Sequence, residues 1–420
     1  MIENYRWRSF SWQSWQREWR DLDLLLLLFA VSLTALGALA IRSTVLETDL
    51  RDYWLQHLVT GGVGLGLGLA IARFPYERLL YCHWLIYGLN NLALIGVLIW
   101  GKAALGAQRW IAIGGFNLQP SEFAKISLII SLAALIHHQP LRSWMDIPKV
   151  LWVIVPPWLL IFLQPNLGTA LVFVGITIFM LYWGGVRLRW LVLLASPILS
   201  ALIFAISQAA WLGWLAAIGL VAWFAVPWGR LPCLLTVVVT NLLCSQLGQW
   251  LWHSLHDYQK LRITAFLDPN SDPLGTGYHL IQSQIAIGAG KLWGRGLLQG
   301  TQTQLNFIPE QHTDFIFSVV GEELGFVGCL LVLLLLLGIC WRLLVIANRA
   351  RDDFGSLLAI GMFGLILFQA SVNIAMTIGF APITGIPLPL LSNGRSALLA
   401  IWLGLGVVQS VTVHRRTIKF

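Results

Sequence analysis

The chain is made of apolar runs, most of them long enough to cross a lipid bilayer. They fall at 24–41, 55–72, 80–100, 122–138, 149–163, 167–185, 190–207, 209–227, 232–252, 316–341, 354–379 and 396–412. A helix needs about 20 mainly apolar residues to traverse roughly 30 Å of hydrocarbon. Twelve such runs leave little of 420 residues for the polar surface of a water-soluble domain. Charged residues make up only 11%, against about a quarter in soluble domains. Inside a bilayer the backbone must satisfy its own hydrogen bonds, and at these run lengths the helix is the way to do so. The sequence therefore predicts an all-α polytopic membrane protein of ten to twelve transmembrane helices, the shortness of 149–163 setting the lower bound.

Charge then orients the helices. The net charge is +8, with 22 Trp. In a membrane protein the basic residues belong first to cytoplasmic loops and the Trp to the headgroup belts. With the N-terminus inside, more than half of the 27 Lys and Arg fall on cytoplasmic segments, among them Arg17, Arg20, Arg73, Arg78, Arg187, Arg189, Arg230, Arg349 and Arg351. Both termini are expected in the cytoplasm. No soluble basic module is present, so nucleic acid is not an expected partner. Residues 1–23, rich in Trp and Arg and without a signal-peptide pattern, read as an amphipathic cytoplasmic lead-in, and 415–420 as a cytoplasmic tail. The five cysteines have no metal-finger or CxxC spacing and read as buried small hydrophobes.

Two outer segments stand out, 101–121 and the polar stretch 253–314. Connections that long tend to carry function. Within 307–325, FIPEQHTDFIFSVVGEELG, the acids Glu310, Asp314, Glu322 and Glu323 stand with His312 where an apolar helix begins. Ionisable groups at that depth are functional candidates unless they merely cap the helix, and Asp314 fits either role. In QPSEFAK (119–125), Pro120 and Ser121 mark a helix start, and Glu122 and Lys125 share one face, as a structural ion pair or as part of a cationic site with Arg109 and Lys102. In PITGIPLPLLSNGRS (382–396), three prolines break the helix near membrane depth, which implies a shielded cavity. The glycines of 61–68 read as close helix packing.

Five segments in order, GAQRWIAIGGFNLQPSEFAK, QPNLGTA, FLDPNSDPLGTGYHLIQSQIAIGAGKLWGRG, FIPEQHTDFIFSVVGEELG and TGIPLPLLS, together resemble the SEDS (RodA/FtsW) family. Residues 300–315 are more similar to its elongation branch, which serves cell shape. The resemblance implies a ten-helix bundle (24–414) with a large extracytoplasmic loop at 253–314, so 209–252 reads as an inserted helical hairpin. It also implies a peptidoglycan glycosyltransferase of the bacterial inner membrane that polymerises lipid II on the outer side. The expected partners are a class B penicillin-binding protein and the elongation machinery. Asp314 corresponds to the family's essential acid, Glu122 and Lys125 to its ion pair, and Arg109 to its outer-loop arginine. The chain departs from the family at Asn166, where Asp is usual, and at Ser392–Arg395, where a cation is added.

On this reading Asp314 is the candidate general base. Lys125, Arg109 and Arg395 are candidate cations for the pyrophosphate, Glu122 holds Lys125, and Lys102, Glu310 and His312 complete the substrate-binding set. Asp314, Glu310 and His312 could also ligate a divalent cation, Mg or Mn. A flippase for a lipid-linked precursor, or a scaffold recruiting a synthase, remain as alternatives.

Overall fold

The computed structural model describes residues 21–45, 51–104, 107–113, 116–141, 146–225, 229–254, 260, 266, 276–305, 307–308 and 310–415. Most of the lead-in 1–23, the tail beyond 415 and the Asp-Pro turns at 268–273 lie outside the described residues. Described residues form helices α1 (Leu24–Val45), α2 (Tyr53–Ala72) and α3 (Glu77–Trp100), then strands β1 (Lys102–Ala104), β2 (Ala107–Ile113) and β3 (Phe116–Leu118). Helices α4 (Pro120–His138), α5 (Ile147–Leu163), α6 (Leu167–Trp183), α7 (Leu188–Ile206), α8 (Gln208–Ala225) and α9 (Arg230–Ser254) follow. The chain ends with α10 (Thr276–Ala289), α11 (Thr301–Gln304), α12 (Ile316–Arg349), α13 (Asp353–Ile378) and α14 (Arg395–Val413). Every apolar run becomes a helix. Seven of them (α1 to α4 and α12 to α14) are long and apolar enough to cross a membrane, and the apolar helices α5 to α9 stand beside them. The protein is a polytopic all-α membrane protein.

Helices α4, α13 and α14 form the centre of the bundle. The apolar windows of α4 and α14 are 78% and 83% buried, against 17% for α3, whose other faces are left for lipid. Helix α14 packs along α2, α13 between α12 and α6, and α1 on α12. The α2–α14 contact is as close as backbones allow. A Cβ on Gly68 would stand 2.8 Å from the Trp402 carbonyl, and one on Gly406 2.5 Å from the Gly68 carbonyl. Such small-residue contact supplies the van der Waals packing that replaces a hydrophobic driving force in lipid. Helices α8 and α9 sit apart. They pack on α7 and each other, around a small core of Ile218, Ala222, Cys233 and Val237.

Both described ends of the chain meet at one end of the bundle. The Asp23 amide donates to Gln409 Oε1 at 2.9 Å, Gln409 donates back to the Asp23 carbonyl, and Arg342 clasps the Asp23 carboxylate. The opposite end carries the sheet, α10 and α11. Here α12 is broken. Unbroken, its 34 residues would span about 51 Å, well beyond the hydrocarbon thickness. Gly325 takes φ 67° and ψ −160°, ending the ladder about one third of the way along. Residues 291–296 then supply the missing partners. The Arg295 and Gly296 amides donate to the Glu322 and Glu323 carbonyls, while Phe326 and Val327 donate to the Lys291 and Leu292 carbonyls. A side chain at 325 would strike the Gly294 amide and the Leu292 carbonyl, so the break needs glycine twice over.

Candidate functional site

The end opposite the termini is a junction of four chain segments, joined at its centre by neutral side chains and at its edge by the Arg109 guanidinium. Asn373, fully buried on α13, donates from one amide nitrogen to the Asp314 carbonyl (2.9 Å) and the Ile386 carbonyl (2.7 Å). This ties the turn before α12 to the irregular segment 379–394. The Asn393 amide donates to the His312 carbonyl at 3.0 Å, fixing the same turn from its other side. Ser396, in the first turn of α14, donates to the Asn117 carbonyl and accepts from the Gln119 amide, both at 3.0 Å. Arg395, the first residue of α14, is thereby drawn toward the start of α4. On the far side, Arg109 of β2 donates to the Gln164 carbonyl (3.2 Å) and the Pro165 carbonyl. The start of α6 is pressed on Thr384 and Ile386. These contacts close a ring that runs from Arg109 through 164–168, 384–386 and Asn373 to Asp314, then through Asn393 to Arg395 and α4.

The turn that carries Asp314 is tightly specified. Glu310 adopts φ 52°, and its carbonyl accepts from the Thr313 and Asp314 amides at 3.1 Å. Left-handed backbone is uncommon for residues other than glycine. His312 packs its ring 5.5 Å from Tyr53 and lies 3.9 Å from the Glu310 carboxylate. Burial pushes its imidazole below the usual range, and the Glu310 charge opposes this without reversing it. Beneath the turn, Glu322 accepts from the Gln302 and Thr303 amides and the Thr303 hydroxyl at 2.8, 3.0 and 2.7 Å. It thus caps α11 from the side. Glu323 accepts from Ser43 of α1, and Gln311 donates to the Thr303 carbonyl. The turn is a platform bound to α1 and α12.

Glu122 and Lys125 form a 2.6 Å ion pair with both side chains almost fully buried. The pair sits one turn into α4, so it is enclosed in the bundle and does not lie on the surface. Asn166 caps α6 by accepting from the Thr169 amide at 3.3 Å, a role its amide oxygen fills without charge. Lys102 opens β1 opposite Trp110.

Residues 22–417 match the FtsW, RodA and SpoVE family of cell cycle proteins. The chain belongs to this family. It is 35% identical over 401 residues to the peptidoglycan glycosyltransferase MrdB of Escherichia coli (strain K12), covering 95% of each chain. It is 34% identical over 426 residues to the peptidoglycan glycosyltransferase RodA of Treponema pallidum, covering 94% and 98%. A solved chain from work on polymerization and crosslinking by a peptidoglycan synthase complex superposes with TM-score 0.71 at 28% identity, covering 94% of this chain and 99% of that one. The rod shape determining protein RodA of Thermus thermophilus gives TM-score 0.62 at 25% identity, covering 94% and 97%.

Of the residues the sequence singles out, this FtsW/RodA-family chain brings Asp314, His312, Glu310, Arg395 and Arg109 into one ring at the membrane end. Glu122 and Lys125 are buried in the first turns of α4, the helix at which the ring ends. Sequence reasoning misses Asn373, Ser396 and Tyr53. Asn373 carries a signal, an amide in the apolar run 354–379, but Ser396 has only its place beside Arg395. Among the described residues, no three His, Cys, Asp or Glu side chains gather as a metal group, so Asp314, Glu310 and His312 do not make a three-ligand site.

Proposed function

We propose that this chain is a peptidoglycan glycosyltransferase that polymerises lipid II into glycan strands for cell elongation and shape. Its site faces the outer side of the bacterial inner membrane. The observation that carries the reading is the Asn373–Asn393–Ser396 junction, which draws the turn carrying Asp314 and the start of α14, with Arg395, together at one end of the bundle. The curated relatives named as peptidoglycan glycosyltransferases support it.

The chemistry is one displacement at an anomeric carbon. The 4-hydroxyl oxygen of one sugar bonds to the anomeric carbon of another, and its proton passes to the Asp314 carboxylate. The bond from that carbon to the pyrophosphate oxygen breaks, the electron pair leaves with the polyprenyl pyrophosphate, and the configuration inverts. A positioned carboxylate base contributes about 10²–10⁴-fold. The leaving group concentrates negative charge, so cations fixed in advance lower its barrier. Arg395 and Arg109 take that part at the rim. Lys125, paired with Glu122 deeper in the bundle, supplies a fixed field beneath it. His312, kept neutral by burial, orients the Asp314 turn. A class B penicillin-binding protein of the elongation machinery is the partner this reading implies.

The test is polymerisation of labelled lipid II by the purified protein with its partner, wild type against Asp314→Asn. Glycan ladders that vanish in the folded variant support the assignment, and ladders that persist would remove Asp314 as the base. A flippase needs no general base, so under that reading Asp314→Asn leaves lipid movement intact. Normal transport by the variant, with no polymerisation by either the variant or the wild type, would favour the flippase.

A further inference from the structure

The α8–α9 hairpin contributes nothing to the ring described above, yet it builds a charged corner where it meets α7. Arg189, in the first turn of α7, reaches across to the end of α8 and donates to the Phe224 carbonyl at 3.5 Å. Arg230, which opens α9, lays its guanidinium over the neighbouring Trp223 ring, 5.7 Å from the centroid. Arg187, just ahead of α7, stacks in the same way on Trp190 at 5.8 Å. Three guanidinium groups thus meet at one corner of three helices, at the end of the bundle that holds the termini.

Among the described residues, nothing neutralises them. No acid stands in the first turn of α7 or α9, and no described carboxylate pairs with any of the three. The Arg189 Nε and Trp190 Nε1 are buried without a hydrogen-bond partner. A guanidinium stacked on an aromatic face keeps its edge N–H groups for an anion, and that planar fork suits phosphate. The walls beside the corner are apolar and open, with Leu188, Phe224 and Leu231 at 65%, 68% and 60% exposure. A phosphate carried on acyl chains engages both the guanidinium groups and the apolar walls beside them, whereas a free phosphate engages only the guanidinium groups.

The geometry points to a binding site for an anionic phospholipid carrying two phosphates, clamped by Arg187, Arg189 and Arg230 and stapling the α8–α9 hairpin to α7. Basic pockets between membrane helices favour such headgroups by a large factor per charge. The full-length protein in detergent is titrated with cardiolipin, phosphatidylglycerol, phosphatidylcholine and inorganic pyrophosphate, with retention followed by native mass spectrometry. Cardiolipin should be held best and phosphatidylcholine least. The Arg187→Gln/Arg230→Gln protein keeps the Arg189–Phe224 contact and should hold cardiolipin about twenty-fold more weakly, with glycan polymerisation unchanged. Undiminished cardiolipin retention in that variant overturns the site. Pyrophosphate displacing cardiolipin at equal concentration overturns the lipid assignment in favour of a free-phosphate site. Should the double variant fail to fold, the salt dependence of the wild type decides: retention that does not fall between low and high salt removes the arginine clamp.

Discussion

The two ends of the bundle are fastened by different chemistry. At the termini end, charge holds the elements together: Arg342 on Asp23, Tyr76 donating to Asp352 at 2.9 Å, and Arg351 3.6 Å from Glu77. Burial and the Asp352 charge together push the Tyr76 phenol well above its usual range, so it stays a donor. At the opposite end, amides and hydroxyls hold the junction: Asn373, Asn393 through its backbone, and Ser396. Around the Asp314 turn and the start of α14, these neutral fasteners set backbone positions without adding a fixed charge, while the charged contacts of Arg109 and Glu322 lie at the edge of the junction. Ion pairs at the site end would compete with a pyrophosphate. The difference therefore separates residues that maintain the fold from those that serve the reaction, and substitutions can be arranged to break that separation.

The Glu122–Lys125 pair is the exception, an ion pair at the site end, and it should show the largest effect on the fold. Lys125→Met leaves Glu122 charged and enclosed, which costs about 3–5 kcal/mol. The Glu122→Gln/Lys125→Met protein removes both charges and should recover most of that stability in detergent. Polymerisation should stay low in both. If the double variant regained full activity along with its stability, the pair would be structural and no part of the field beneath the site.

Next in size is Asn373→Ala. It removes two hydrogen bonds and leaves the Asp314 and Ile386 carbonyls to find other partners, for about 1–3 kcal/mol. Because the Asp314 turn loosens, turnover on lipid II should drop by an order of magnitude or so while substrate retention changes little. A fall in binding with turnover preserved would move Asn373 from positioning the acid to holding the substrate. Asp23→Asn at the other end is the matched control. It weakens the Arg342 contact by about 1–2 kcal/mol, and activity per folded molecule should be unchanged.

The contrast between the ends also explains what is legible in the sequence. The helices are readable because lipid imposes one rule on every span, and the twelve apolar runs obey it. The Glu122–Lys125 pair is readable from its three-residue spacing on a helix started by Pro120. The junction is less so. Asn373 lies 59 residues from Asp314, and its role depends on the α12–α13 pairing that brings them together. The break in α12 is equally hidden: GEELG reads as continuous helix, and only the 291–296 segment, distant in sequence, supplies the partners that make the left-handed Gly325 tolerable. Local pattern shows where a helix can form, while the partners of a broken one come from elsewhere in the chain.

The smallest expected effect is a pH dependence centred on His312. Its folded-state pKa lies below the usual 6.5 because the ring is buried, with Glu310 opposing. Between that lowered value and 6.5 the unfolded chain binds a proton that the folded one does not, so stability rises with pH across this window. Acidification through it should loosen the Asp314 turn, since burial disfavours the protonated imidazole at this position. Among the described residues, the ion pairs of the termini end, Arg342–Asp23 and Arg351–Glu77, contain no histidine. Polymerisation measured from about pH 7.5 down to about 5 should therefore fall more steeply in the wild type than in His312→Gln, where the titrating ring is gone. Two identical profiles would assign the acid limb to Asp314 or to the substrate, and the site end would then owe its pH response to the reacting groups and not to the turn that carries them.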